Sequence, residues 1–211
     1  MTSRLPSVDH LVYATPDLDR GMREIEQLTG VTPTLGGQHP GRGTRNALIA
    51  LGGDAYLEIV APDPDQPPPT AARWLAVDEV TSSRLTTWAA KSHDPSALRT
   101  HAVERGVTIG DVRSGERQRA DGLRLSWQLT NPDPLVADGL IPFFIDWGES
   151  PHPSRSAAHG ATLVALHLEH PDVAYIERLL RALYLDISVV AAEKPAIVAV
   201  IDGRSGRVQL R

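Results

Sequence analysis

The sequence has no cysteine, which removes disulfides, thiolate metal sites and cysteine nucleophiles together. Any metal centre must be built from His, Asp and Glu. Aromatic residues are scarce at 5%, with two phenylalanines and four tryptophans in 211 residues, so each ring is a landmark. No run approaches the roughly 18 apolar residues of a membrane span, and the opening "MTSRLPSVDH" lacks the apolar segment of a secretory signal. A cytoplasmic protein is the expectation. Basic charge is not in excess either: 21 Lys and Arg stand against 26 Asp and Glu, a formal net charge of -5. With the arginines scattered, there is no field to hold a phosphate backbone, so neither nucleic acid nor a membrane is expected as a partner. The signatures of a P-loop, a G-x-S-x-G elbow and a strand-to-helix G-x-G-x-x-G are all missing.

What the sequence does contain is a repeat. An apolar strand, an Asp at a helix start and a helix follow one another three times. "VDHLVYATPDLDRGMREIEQLTG" supplies a strand at residues 8 to 14, Asp17 as N-cap, and an apolar stripe of Leu18, Met22, Ile25 and Leu28 that stops at Gly30. "LTTWAAKSHDPSALRTHAVERG" repeats it with Asp94 as cap, Pro95 at the first helical position and Gly106 as stop. "LVALHLEHPDVAYIERLLRALY" does so with Asp172 as cap and Val173, Ile176, Leu179 and Leu183 toward the core. Further strand-like runs follow each helix, so the unit reads β-α-β-β-β, over residues 6–62, 84–148 and 161–211 approximately. The expected fold class is α+β, with tandem units in one body of residues 1–211. The segments "PDPDQPPPTAARW" and "ESPHPSRSAAHG" read as surface connections, because proline at that density fits neither helix nor central strand.

His10 falls on the first strand and Glu58 on the last strand of the first unit, and neither suits an apolar core. Alternation places His10, Val12 and Ala14 on one face, and Tyr56, Glu58 and Val60 on one face of the other strand. These features carry a resemblance. "VDHLVYATPDLD" followed by "YLEIVAPDP", with "HPGRGTRNALIALG" between them and "IPFFIDWGESPHPS" later, resembles the glyoxalase-like domain proteins of the vicinal oxygen chelate superfamily, the group of glyoxalase I, bleomycin resistance proteins and extradiol dioxygenases. The resemblance implies paired units whose sheets curl around a cavity, a divalent metal (Mn, Fe, Ni, Co or Zn) on residues of the first and last strands, and a homodimer in some members. It puts His10 and Glu58 at the metal positions, with Glu58 or Asp146 moving a proton.

Aligning the other units restores no full ligand set. Thr87 or Trp88 stands opposite His10 in the second unit, although Asp146 falls near the position of Glu58. In the third, Ala165 and Gln209 stand there, with His167 two residues along. Two readings stay open: a metal on His10 and Glu58 completed by Asp146, His152 or His167, or a His-Glu pair that lines a pocket and holds no ion. The corresponding functions are a metal-dependent lyase, isomerase or dioxygenase acting on a small oxygenated metabolite, and a metal-free protein that binds or sequesters a small molecule.

The glycine-rich residues 36–44 read as a loop across the cavity mouth. There His39, Arg45 and Asn46 either contact the substrate, Arg45 by clamping an anion, or, for His39 and Asn46, cap the loop's own backbone. After "IPFF", Trp147 either stacks on the substrate or anchors the core, with Asp146 tied to a neighbouring amide. Trp74, Trp88 and Trp127 read as core. The series Arg113, Arg117, Arg119 and Arg124 brackets a glycine turn and reads as a solvated hairpin.

Overall fold

The computed structural model describes residues 8–118, 122 and 124–211; Arg119 lies outside the described residues. In chain order the elements are β1 (Val8–Ala14), α1 (Leu18–Thr29), β2 (Thr34–His39), β3 (Thr44–Ala50), β4 (Tyr56–Pro62), β5 (Arg84–Lys91), α2 (Pro95–Glu104), β6 (Val112–Gln118), β7 (Arg124–Thr130), β8 (Phe143–Asp146), β9 (Thr162–His170), α3 (Val173–Ala182), β10 (Ser188–Ala191), β11 (Ala196–Gly203) and β12 (Gly206–Leu210). Single 3-10 turns at Val77–Glu79 and Pro153–Arg155 interrupt the long connections.

Local chemistry sets the helix starts. The carboxylates of Asp17, Asp94 and Asp172 accept from the amides of Arg20, Ala97 and Tyr175, each satisfying one donor that the first turn leaves over. Gly30 closes α1 in the left-handed conformation at φ 69°, which a side chain would strain. Ile25 and Leu18 of α1 are buried, while Leu28 of the expected stripe is 37% exposed; the stripe turns through Gly21 instead, whose missing Cβ lets the helix settle against Thr15 and Ile59.

The first two β-α-β-β-β units merge into one eight-stranded sheet of order β2-β3-β4-β1-β5-β8-β7-β6. It curls until the edge strands β2 and β6 nearly meet. The third unit forms its own four-stranded sheet, β10-β9-β11-β12. Helix α1 packs between the two sheets, touching β3 and β4 on one side and β11 and β12 on the other.

Alternation along the curled strands divides the apolar residues into two main cores, with a third small cluster of Leu48, Ala50, Tyr56 and Ala157. Leu11, Tyr13, Ile49, Leu57, Ile59 and Trp88 point outward and join α1, α3 and the third unit in the larger one. Each fully buried side chain of this kind contributes roughly 1.5–3 kcal/mol. Val12, Ala14, Val60, Ala89, Leu129, Phe143 and Ile145 point inward and fill much of the barrel. The polar side chains that interrupt this inner core form the site.

The glycine-rich stretch at 36–44 differs from the expected loop. Residues up to His39 belong to β2, paired with β3 in the register His39–Thr44, and only residues 40–43 turn. Glycine reads there as a loop signal, but at Gly36 it serves a close approach. A Cβ at that position would lie 2.2 Å from Asn46 Oδ1 and 3.0 Å from an Arg117 nitrogen, so the missing side chain lets the barrel seam close.

Candidate functional site

The site grows from three strands of the first unit. β1 and β4 run parallel with Val12 beside Glu58, and β3 and β4 antiparallel with Leu48 beside Glu58. His10, Asn46 and Glu58 therefore converge inside the barrel, where all three are at most 5% exposed.

Asp9 fixes the orientation of His10. Between Val8 and His10 the pairing with β5 shifts by one residue, a bulge that lets Asp9 reach the ring of its neighbour, against strict alternation. Asp9 Oδ1 lies 2.8 Å from His10 Nδ1. The other donors to this carboxylate are Trp147 Nε1 at 3.2 Å and His152 Nε2 at 3.2 Å. Burial alone pushes the Asp9 carboxyl up, but the hydrogen bonds and charges of His10 and His152 outweigh it and hold it well below the usual carboxylate range. An ionised carboxylate only accepts, so His10 Nδ1 carries a proton, and Nε2 is the ring nitrogen turned to the cavity. Tyr56 stacks on the same ring at 4.6 Å and Phe143 meets it edge-on at 5.3 Å. Burial, reinforced by Asp9 and Glu58, pushes the Tyr56 hydroxyl well above its ordinary range, so it stays a neutral phenol.

The tautomer of His39 follows from its partners in the same way. Thr44 Oγ1 accepts from Trp74 Nε1 at 3.0 Å and lies 2.9 Å from His39 Nδ1. Asn46 Nδ2 donates to Glu58 Oε1 at 2.6 Å and lies 3.3 Å from His39 Nε2. The amide nitrogen has only protons to offer, so His39 Nε2 is an acceptor and Nδ1 carries the proton. Burial, opposed by Glu58 and assisted by Arg117 and Arg42, lowers His39 from 6.5 to about 4; the ring is neutral at pH 7. Arg117, 6% exposed, places its guanidinium 3.3 Å from Asn46 Oδ1. This contact settles the amide orientation and carries positive charge toward Glu58 through Asn46.

Both imidazoles turn Nε2 toward the Glu58 carboxylate. His10 Nε2 lies 3.7 Å from Glu58 Oε2, and His39 Nε2 lies 3.6 Å from Glu58 Oε1. A nitrogen and a carboxylate oxygen at that range leave room for a shared proton or a cation between them. Across the cavity, β7 and β8 contribute Trp127, Leu129, Phe143 and Ile145, and Trp147 follows β8. Among the described residues, no group of three His, Asp or Glu side chains has the arrangement of a metal site.

The structure brings His10, His39, Asn46, Glu58 and Trp147 together around one chamber and places Arg45 and Asp146 elsewhere. Arg45 alternates with Thr44 and Asn46 and so faces outward, near Asp63. Asp146 turns away between the inward Ile145 and Trp147, and its carboxylate accepts from the Gly148 amide at 2.9 Å. His167 stands on β9 in the second sheet, beside Glu169. His152 stands behind the site, bonded to Asp9 and edge-on to Tyr56. Trp74 and Trp127, expected in the core, line the cavity, and so does Arg117 of the expected solvated hairpin. The proline-rich connection that carries Trp74 is tied down by Arg73, which donates to the Gly43 carbonyl at 2.8 Å. A β6 alternation of Arg113, Gly115 and Arg117 was the sequence signal available for the missed arginine.

Comparison with known proteins accords with this architecture. A family model described as a glyoxalase-like domain matches residues 8–184, and no curated protein matches the sequence. A solved structure of a hypothetical protein from Staphylococcus aureus superposes with a TM-score of 0.66 at 16% identity, covering 96% of this chain and 83% of its own. Methylmalonyl-CoA epimerase from Mycobacterium tuberculosis gives 0.45 at 18% identity over 70% of this chain and 92% of its own. A Streptomyces coelicolor methylmalonyl-CoA epimerase variant in complex with 2-nitronate-propionyl-CoA gives 0.45 at 20% identity over 71% and 100%. At these identities the likeness is one of fold. With a family match across most of its length, the chain belongs to the glyoxalase-like domain family, and its curled double-unit sheet has the vicinal oxygen chelate fold.

Proposed function

We propose that the chain is a cytoplasmic enzyme, a metal-dependent lyase or isomerase that moves a proton beside a carbonyl oxygen of a small oxygenated metabolite. The observation that carries this reading is the buried pair His10 Nε2 and Glu58 Oε2, 3.7 Å apart, with the far side of the imidazole anchored on Asp9. A carboxylate behind a histidine is the support that metal-binding imidazoles ordinarily have, and an imidazole with a carboxylate is a donor set for Mn, Fe, Ni, Co or Zn. The residues fit a divalent ion held by two protein groups, with its other positions left to water and substrate. Such an ion, when bound, supplies a Lewis acid that polarises the substrate oxygen.

The remaining work falls to the chain's own side chains. Asn46 occupies Glu58 Oε1, which leaves Oε2 to face the ion, so the group that takes and returns a proton must stand beside this pair. Neutral His39 keeps a second acceptor beside it. Phe143, Ile145 and Leu129 exclude water from the opposite side, which strengthens each electrostatic contact within.

A calorimetric titration of the metal-stripped protein with Ni²⁺ tests the reading. One ion should bind per chain, and His10→Ala and Glu58→Gln should abolish binding, with circular dichroism showing both variants folded. Absence of binding by the native chain, or equal binding by the variants, removes the reading. The apolar far wall, Ala89, Leu129, Phe143 and Ile145, favours in that event the second one, a metal-free protein that binds or sequesters a small molecule.

A further inference from the structure

The chamber beside His10 and Glu58 has a volume of about 30 Å³, room for roughly one water-sized group. Whatever reacts there can place only its tip inside. Outside it, and sharing His39, Trp74, Arg117, Trp127 and Leu129 as walls, opens a vestibule of about 640 Å³, the size of a site for a whole small molecule.

Resting on the proposed function above and naming its substrate class, we propose that this vestibule binds a planar organic anion, with the flat part on Trp127 and the negative group between guanidiniums. Gly115 pairs with Trp127 across β6 and β7, and a Cβ at Gly115 would stand 2.4 Å from the indole nitrogen. The ring therefore lies on bare backbone, a platform that any side chain at position 115 would lift. Arg113 and Arg117 flank that platform, two residues to either side on the same face of the strand. Arg42 completes the opposite rim, stacked over Trp74 at 5.0 Å.

The charge balance distinguishes a ligand site from a solvated hairpin. Arg124 also lines the vestibule but is paired with Glu116. Among the described residues, Arg42, Arg113 and Arg117 form no ion pair, so three positive charges surround one cavity in a chain whose net charge is -5. A cleft of one sign in a protein of the other concentrates oppositely charged ligands and raises their rate of arrival, and guanidiniums favour carboxylate and phosphate groups.

Calorimetry with 2-naphthoate and its neutral counterpart 2-naphthamide, on the native chain without added metal, tests the proposal. The naphthoate should bind at least about tenfold more tightly at low salt, and the gap should shrink at about 0.5 M salt, where screening is strong. The double variant Arg42→Gln, Arg113→Gln should narrow the gap to about threefold or less while leaving naphthamide affinity and the melting temperature unchanged, and Trp127→Ala should weaken both probes. His10→Ala and Glu58→Gln should keep the preference, so failure of the metal reading and failure of this one are told apart. Equal affinity for the two probes, no binding of either, or an undiminished preference in the double arginine variant overturns it.

Discussion

The two halves of the curled sheet share one topology and differ in chemistry. From β1 to β4 the inner wall carries His10, His39, Asn46 and Glu58; from β5 to β8 the corresponding wall carries Ala89, Leu129, Phe143 and Ile145. At the positions matching His10 and Glu58, the second half carries Thr87, with Trp88 beside it turned outward to donate to the Leu140 carbonyl at 2.9 Å, and spends Asp146 on a backbone amide. One half supplies the imidazoles and the carboxylate, and the other supplies shape, dryness and, from β6, the Arg117 charge. The third unit, with the same element order, stays outside the barrel altogether.

The largest effect that would sharpen this contrast is on stability. Trp88 is fully buried, and Trp88→Ala should cost about 3–5 kcal/mol in denaturant unfolding through the cavity it leaves. Glu58→Gln should cost nothing or raise the midpoint, because the amide can donate to His10 Nε2, which a carboxylate oxygen now faces. Comparable losses in both variants would break the division between a structural and a chemical half.

Next comes the response to acid. His39 is lowered from 6.5 to about 4 by burial, so the unfolded chain takes up a proton that the folded one refuses. Its contribution is fully present above pH 6.5 and is lost as pH falls from there toward 4, by roughly 2–3 kcal/mol. Thermal melts across that window should show the decline, and His39→Gln should flatten it. Asp9 adds a separate loss, because the contribution of its lowered carboxyl is fully present above the unfolded value near 3.8 and declines as pH falls below it.

A smaller change is expected from the group behind His10. Asp9→Asn should weaken Ni²⁺ binding by about 10–100-fold and let the His10 proton move between Nδ1 and Nε2, visible in the ¹⁵N shifts of the ring. The smallest belongs to residues the sequence nominated and the fold turned outward. Asp146→Asn and Arg45→Gln should change metal affinity by less than about 0.5 kcal/mol, as calorimetry would show.

How far the sequence reveals this arrangement depends on the range of the forces involved. The three Asp caps act within four residues, and all three could be read directly. His10 and Glu58 could be paired because strand alternation and the strand-helix-strand order fix their faces. Arg45 could not be placed, since its strand was read without the register that sends Thr44 and Asn46 inward and Arg45 outward. Asp9 was hidden by a bulge, which breaks the alternation that sequence reasoning relies on. Arg117 and Trp74 enter the cavity through closure of the sheet and the path of a proline-rich connection, contacts between residues far apart in the chain that no local pattern encodes.

The polar wall around His10 and Glu58 is tested most directly by adding Mn²⁺ to ¹⁵N-labelled, metal-free protein and following paramagnetic line broadening. Resonances of His10, Glu58 and Asn46 should broaden first, at substoichiometric ion. Broadening that begins instead at His167 and Glu169 on the separate sheet, or none at all, would contradict it.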